Sequence, residues 1–196
     1  MSLYVLSGKY KGHKLFTPQR KETRPATSLL RKMVFDSCQM HIENARVLDL
    51  FSGSGAMGIE ALSRGAHFVT FNDMSEMCIE VIKENLKKIH QKTTFEIYKE
   101  DAFILLERLK STPAYDLILL HPPYPIGFPG YVRLITALHK QSHLTHDDTL
   151  IFLEIPGQLE LQLSPIIAAH FQILKTKSRS TWTLFILKKM PASSMD

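Results

Sequence analysis

Three stretches of this chain hold residues whose types and spacing can do chemistry. Gly53-Ser-Gly55-Ala-Met-Gly58 fits G-x-G-x-x-G, with an apolar run before it and a helical pattern after it. Glycines there let the backbone turn sharply and approach a ligand, and the helix N-terminus aims amide donors at it. Asp73 follows Gly53 by 20 residues, at the end of the next apolar run. A carboxylate in that place accepts both hydroxyls of a ribose. Two cofactor classes fit: a nicotinamide or flavin dinucleotide, and S-adenosylmethionine. Asp49, inside "VLDLF", helps to separate them. A carboxylate in a buried strand is costly unless paired. It suits the ammonium and sulfonium of S-adenosylmethionine and repels a pyrophosphate. The plainer reading of Asp49 is a cap on the amides of the glycine loop. Asp101, in "YKEDAF", also has two readings: acceptor from an adenine amine, or N-cap of the helix that follows. The third stretch is "YDLILLHPPY", Tyr115 to Tyr124, where a run of strand length closes on an imidazole, two prolines and a phenol.

These residues need a scaffold, and the pattern supplies one. "ARVLDLF", "HFVTFN", "TFEIY", "YDLILL" and "TLIFLEI" read as buried strands. Between them stand helical stretches: "IEALSRG", ending at Gly65 as a C′ glycine; "SEMCIEVIKENLKKI", with Met77 and Val81 inward, then Leu86 or Ile89; "AFILLERLK"; and "YVRLITALHKQ". "PIIAAHF" is a short helix, and "QILKTK" and "TWTLFILKK" finish the chain as an antiparallel pair. Alternating strands and helices imply an α/β fold with a parallel sheet covered on both faces. Residues 3–16 read as a hairpin around "SGKYKG". Residues from Thr27 to about Met40 read as a helix with Leu30, Val34 and Cys38 on one face and Thr27 or Ser28 as its N-cap. The expected organisation is an N-terminal extension over 1–42, a main domain over 43–190 and a tail over 191–196.

The 196 residues suit one core, and a hydrophobic content of 44% with 22% charged residues is that of an ordinary globular protein. No run approaches the roughly 18 apolar residues of a membrane span, and the N-terminus lacks a signal-type apolar region. A cytoplasmic protein away from membranes is expected, with Cys38 and Cys78 as small apolar residues. His139, His143 and His146 lack the glutamate or cysteines of a metal motif, so no metal is expected. The charge is uneven. Lys9, Lys11, Lys14, Arg20, Lys21, Arg24, Arg31 and Lys32 face a single acid, Glu22, in the first 32 residues, whereas the whole chain carries only +5. A basic arm on a nearly neutral body points to nucleic acid.

Taken together, "VLDLFSGSGAMGIEALSRGA", the spacing to Asp73, "EVIKENLKKI" and "YDLILLHPPY" resemble the RsmD family. "LSGKYKGHKL" and "TRPATSLLRKMVFDSC" extend the resemblance over nearly the whole chain. It implies the Rossmann-like class I methyltransferase fold, a seven-stranded mostly parallel sheet with a basic hairpin-plus-helix extension that grips RNA. It also implies methyl transfer from S-adenosylmethionine to the N2 amine of a guanine in small-subunit (16S) ribosomal RNA, by a monomer acting on the RNA or the small-subunit particle. The cofactor candidates are then Asp49, Phe51, Ser52, Gly53, Ser54, Gly55, Asp73, Met74, Asp101 and Ala102. The RNA candidates are Lys9, Lys11, Lys14, Arg24, Thr27, Arg31 and Phe128. The sequence departs from the family's usual pattern at three positions: His121 stands for an aspartate, Ala26 for a threonine and Lys32 for an acid.

His121, Pro122, Pro123 and Tyr124 are the catalytic candidates. The lone pair of an exocyclic amine is conjugated into its ring. Transfer therefore needs acceptors for the amine hydrogens and an in-line approach to the methyl group. Prolines fix the backbone and bring no N–H, leaving carbonyl oxygens free to accept, and Tyr124 offers a face on which a base stacks. The target base has to leave its stack to reach such a pocket. Phe128, in "PIGFPGY", offers a second ring; the plainer reading of that stretch is a loop with Tyr131 in a core contact. A neutral imidazole has one acceptor nitrogen, and a protonated one has none. Three readings of His121 stay open: a working neutral acceptor, a mark of weakened or lost catalysis in an RNA-binding or assembly protein that still binds RNA and cofactor, or a shift in target, such as adenine N6. As a neutral acceptor, it predicts transfer that falls on acidification across pH 6 to 9 more steeply than that of a His121→Asp variant.

Overall fold

The computed structural model of the chain describes residues 3–18, 27–90 and 95–190. Along it run β1 (Leu3–Tyr4), β2 (Lys14–Leu15), α1 (Ser28–Ser37), β3 (Arg46–Asp49), α2 (Ala56–Ser63), β4 (Phe68–Asn72), α3 (Glu76–Lys88), β5 (Phe95–Tyr98) and α4 (Ala102–Arg108). Then come β6 (Tyr115–Leu120), α5 (Gly127–Lys140), β7 (Thr145–Pro156), α6 (Glu160–His170), β8 (Phe171–Ser178) and β9 (Trp182–Lys189). β1 and β2 pair as the expected hairpin, and the other seven strands form one sheet in the order β5-β4-β3-β6-β7-β9-β8. β5, β4, β3, β6 and β7 are parallel, and β9 runs antiparallel to both of its neighbours. β3 pairs with β4 on one side and β6 on the other. The chain order reverses there, and such a reversal opens a crevice beyond the carboxyl ends of the strands.

Each face of the sheet has its own core. On one face Val47, Val69, Phe71, Leu117 and Phe152 pack with residues of the hairpin, α1, α2 and α3; on the other Leu48, Ile118 and Leu153 pack with α4, α5 and α6. Leu3, Val5, Leu15, Leu30, Val34, Phe35 and Cys38 belong to the first cluster. The described part of the first 42 residues is thus one of the covers of the sheet and shares its core. Polar bonds hold that cover in place. Glu60, fully buried on α2, accepts from the amides of Leu6 at 2.8 Å and Ser7 at 3.0 Å. The Lys9 amide donates to the Ser63 carbonyl at 2.7 Å. Gly8 makes this approach possible, since a Cβ there would lie 1.8 Å from the Ser63 oxygen.

Two expectations need correction. Met77 is 41% exposed and Val81 is only part-buried; the inward face of α3 is Cys78, Ile79, Ile82, Asn85 and Leu86. Ile79, Ile82, Leu86 and Ile89 form the longer stripe at helical spacing and set the face, with Asn85 in its midst. Asn85 bonds Phe16 through both its amide N–H and its carbonyl, and also donates to the Ser54 carbonyl. It thereby ties the hairpin to the glycine loop. Arg31, assigned to RNA by sequence, is 1% exposed. It donates to the Tyr4 carbonyl at 2.9 Å and faces Glu60 at 3.6 Å, because the buried carboxylate needs a cation. Arg20, Lys21, Arg24, Ala26 and the tail 191–196 lie outside the described residues.

Candidate active site

β3 ends at Asp49, and the chain turns into α2 through Gly53 and Gly55, whose φ angles of 55° and 76° favour glycine. The Gly55 amide donates to the Ser52 carbonyl at 2.7 Å, and the Ser52 hydroxyl donates to the Asp49 carbonyl at 2.7 Å. Asp73, just past β4, holds the loop from across the crevice, with Oδ2 accepting from the Gly53 amide and Oδ1 from the Ser75 amide, both at 2.9 Å. Each oxygen retains a lone pair for a further donor. A Cβ added to Gly53 would meet nothing within 4 Å, so the space above the loop is open. Gly58 serves the packing instead. A Cβ there would lie 2.2 Å from Phe71 Cε1, so the third glycine lets α2 pack on β4.

Asp49 is 1% exposed. Its Oδ2 accepts from the Gly58 amide at 3.0 Å, whereas Oδ1 is buried without a partner among the described residues. Burial pushes its carboxyl up to about 7; the Gly58 amide works against that, and nearby Asp73 adds to it. The capping reading therefore accounts for one oxygen only. The other, buried and unpartnered among the described residues, fits a ligand with a cationic donor, and the arrangement fits S-adenosylmethionine better than a pyrophosphate. Ser52, Ser54 and Ala102 are buried, Phe51 is part-buried and Met74 is 74% exposed. Asp101 accepts from the amides of Phe103 at 2.9 Å and Ile104 at 3.3 Å, which makes it the N-cap of α4.

His121 follows β6 directly. Asp49 pairs with Leu119, so His121 stands two residues, about 7 Å of extended chain, beyond the carboxylate's level. Both ring nitrogens are buried without a partner among the described residues, and burial pushes the imidazole down to about 4, keeping it neutral at ordinary pH. Pro122 is buried and Pro123 exposed. The stretch expected as a loop is instead a 3-10 turn over Tyr124–Ile126 and the first turn of α5. Gly127, at φ 61°, joins the two. Phe128 is part-buried against the second core cluster, and Tyr131 is fully buried.

Tyr124 is 38% exposed and its hydroxyl donates to Glu154 Oε1 at 3.0 Å. Sequence reasoning missed Glu154. Its only signal was one acid inside the apolar run "TLIFLEI". Leu120 pairs with Leu153, so His121 and Glu154 are the next residues on adjacent strands. Burial raises the Glu154 pKa, and the Tyr124 hydroxyl opposes that rise. Asp49, Asp73, Asp101, His121 and Glu154 thus stand at the carboxyl edge of five neighbouring parallel strands. On the hairpin, Lys9, Lys11 and Lys14 are exposed, and the Thr27 hydroxyl caps α1 by accepting from the Leu30 amide at 3.2 Å. The three histidines do not form a cluster: His139 Nδ1 bonds the His170 carbonyl, and His146 Nε2 faces Asp116 at 2.9 Å.

This architecture is that of class I methyltransferases. The solved Escherichia coli protein yhhF superposes with a TM-score of 0.80 at 23% identity, covering 96% of this chain and 98% of that one. SMU.776, solved in complex with SAH, superposes with a TM-score of 0.69 at 16% identity, covering 91% of this chain and 52% of the other. In sequence, the chain is 30% identical over 175 residues to the Ribosomal RNA small subunit methyltransferase D of Buchnera aphidicola subsp. Acyrthosiphon pisum, covering 89% of this chain and 87% of the relative. The model of the family described as conserved hypothetical protein 95 matches residues 3–188. With glycine loop, acidic edge and H-P-P-Y corner on one sheet and a family match along almost all of its length, the chain belongs to that family, the RsmD family.

Proposed function

We propose that this protein transfers a methyl group from S-adenosylmethionine to the exocyclic N2 amine of a guanine in small-subunit ribosomal RNA. The observation that carries the reading is the juxtaposition of Asp49 Oδ1 and the His121 ring, acceptors on adjacent strands with no partner among the described residues. A cation held by the first and an amine held near the second come within reach of one another. The name of the Buchnera relative and the SAH bound by SMU.776 support it.

In this reading Asp49 and the open glycine loop hold the cofactor, and Asp73 takes the ribose hydroxyls. When bound, the cofactor supplies an electrophilic methyl group on sulfur. The chain orients the acceptor. Carbonyl oxygens of the H-P-P-Y corner and the neutral His121 accept amine hydrogens, turning the nitrogen lone pair out of conjugation. On receiving the methyl group the amine nitrogen would shed a proton, which His121 or water would take. Tyr124 stacks on the extruded base. Lys9, Lys11 and Lys14 bind backbone phosphates, and the protein works as a cytoplasmic monomer on the RNA or its small-subunit particle.

The test is tritiated methyl transfer to under-methylated small-subunit particles, with the product nucleoside identified by mass spectrometry. N2-methylguanosine is expected. A protein that binds S-adenosylmethionine yet methylates no RNA overturns the proposal.

A further inference from the structure

We propose that Glu154 is the residue that selects guanine, by taking the N1–H and N2–H donors of its Watson–Crick edge on the two oxygens of one carboxylate. The inference rests on the function proposed above and adds the group that recognises the base. Glu154 stands one residue past the last β6–β7 pair, level with His121, on the strand beside it. Oε1 already accepts from Tyr124 at 3.0 Å, and Oε2 makes no hydrogen bond among the described residues. The side chain is part-exposed, whereas its strand neighbours Leu153 and Ile155 are buried. A carboxylate in such a place is retained at a cost, and a ligand with paired donors offsets it.

The chemistry then discriminates between bases. An ionised carboxylate offers acceptors only and can bond two parallel donors at once. Guanine presents two adjacent donors, N1–H and N2–H, on the edge that carries the target amine. Adenine presents an amine beside a ring nitrogen that is itself an acceptor, so one carboxylate oxygen would face a lone pair. One amine hydrogen on Glu154 leaves the other for the H-P-P-Y corner and His121. Tyr124 links the two halves: its ring stacks on the base, and its hydroxyl fixes the carboxylate that reads the edge. Leu120 pairs with Leu153, so Glu154 is the carboxylate level with His121 on the paired strands.

The experiment uses the full chain and under-methylated small-subunit RNA. On wild type, guanosine monophosphate should inhibit transfer at the lowest concentration, inosine monophosphate about tenfold less well, and adenosine monophosphate least. Glu154→Gln places an N–H₂ against a donor. Transfer should fall about a hundredfold and the preference for guanosine monophosphate should vanish, with S-adenosylmethionine affinity unchanged and the melting temperature at or above that of wild type. Glu154→Asp should recover part of both. A Glu154→Gln protein that makes N2-methylguanosine at the wild-type rate overturns the role of Glu154 and leaves the proposed function standing. A wild type that makes no N2-methylguanosine overturns both. If Glu154→Gln does not fold, the nucleotide competition on wild type decides, and equal effects of the guanosine and adenosine nucleotides end the idea.

Discussion

Asp49 and Gly58 are joined by a 3.0 Å bond from amide to carboxylate, and the second carboxylate oxygen is left in the core with no donor among the described residues. Burial raises this carboxyl from its ordinary value to about 7. Between roughly pH 4 and 7 the folded state therefore holds more protons than the unfolded state, and stability falls as pH rises through that window. Asp49→Asn should be more stable than wild type at pH 8, by an amount on the order of a few kcal/mol, and the gap should close by pH 4. The same variant should lose S-adenosylmethionine binding. Melting curves from pH 4 to 8 and cofactor titrations check the two halves. A variant no more stable at pH 8, or one that still binds, contradicts these roles of Asp49.

His121 carries the opposite sign. Its folded pKa is pushed down to about 4, so between there and roughly 6.5 the unfolded chain binds more protons and stability falls on acidification. Methyl transfer should be flat with respect to this group from pH 6 to 9, its acid limb lying below pH 5. An ordinary imidazole would have shown that limb within the higher range; burial moves it. His121→Asp puts a second carboxylate near Glu154. A large gain in transfer by that variant would mark the wild type as a weakened enzyme, and a loss would mark the imidazole as the working acceptor.

The first and third glycines of the loop should fail differently. Gly58→Ala drives a methyl group toward the Phe71 ring and should cost about 1–3 kcal/mol of stability. Gly53→Ala meets open space but takes a left-handed backbone and fills the cofactor's approach. It should lose cofactor affinity with a smaller change in melting temperature. Thermal melts and cofactor titrations on both variants check the contrast.

The basic residues separate in the same way. Replacing Lys9, Lys11 and Lys14 together by alanine should leave melting and cofactor binding alone. It should weaken RNA binding and flatten its salt dependence by about two to three units of slope. Arg31→Ala removes the more buried of two cations beside Glu60, which keeps Arg64 at 2.8 Å, and should cost about 1–3 kcal/mol. Any loss of RNA binding in that variant should track loss of folded protein.

Much of this site was legible because its positions are enforced by backbone geometry. Gly53, Gly55, Asp73 and the strand end before His121 follow from turns and strand length, which local sequence records. Glu154 was not legible, since its partner Tyr124 is 30 residues away in sequence and close only through β6–β7 pairing. Arg31 misled for a related reason. A cation among cations reads as surface until the fully buried Glu60, from a helix that sequence could place but not dock, is brought beneath it. The inward place of Asn85 was decided by the hairpin that packs there, a contact with no local signature.

β9 follows both β7 and β8 in the chain, yet it lies between them. β8, synthesised earlier, pairs only with β9 among the described residues. Until Trp182–Lys189 slides into the gap, the outer margin of β7 and the whole of β8 present bare backbone, and such margins adhere to other chains. Completion of this sheet is therefore an insertion between two strands made earlier rather than an addition at its border. A stop codon ahead of Trp182 would yield a chain that aggregates, with no shortened working form.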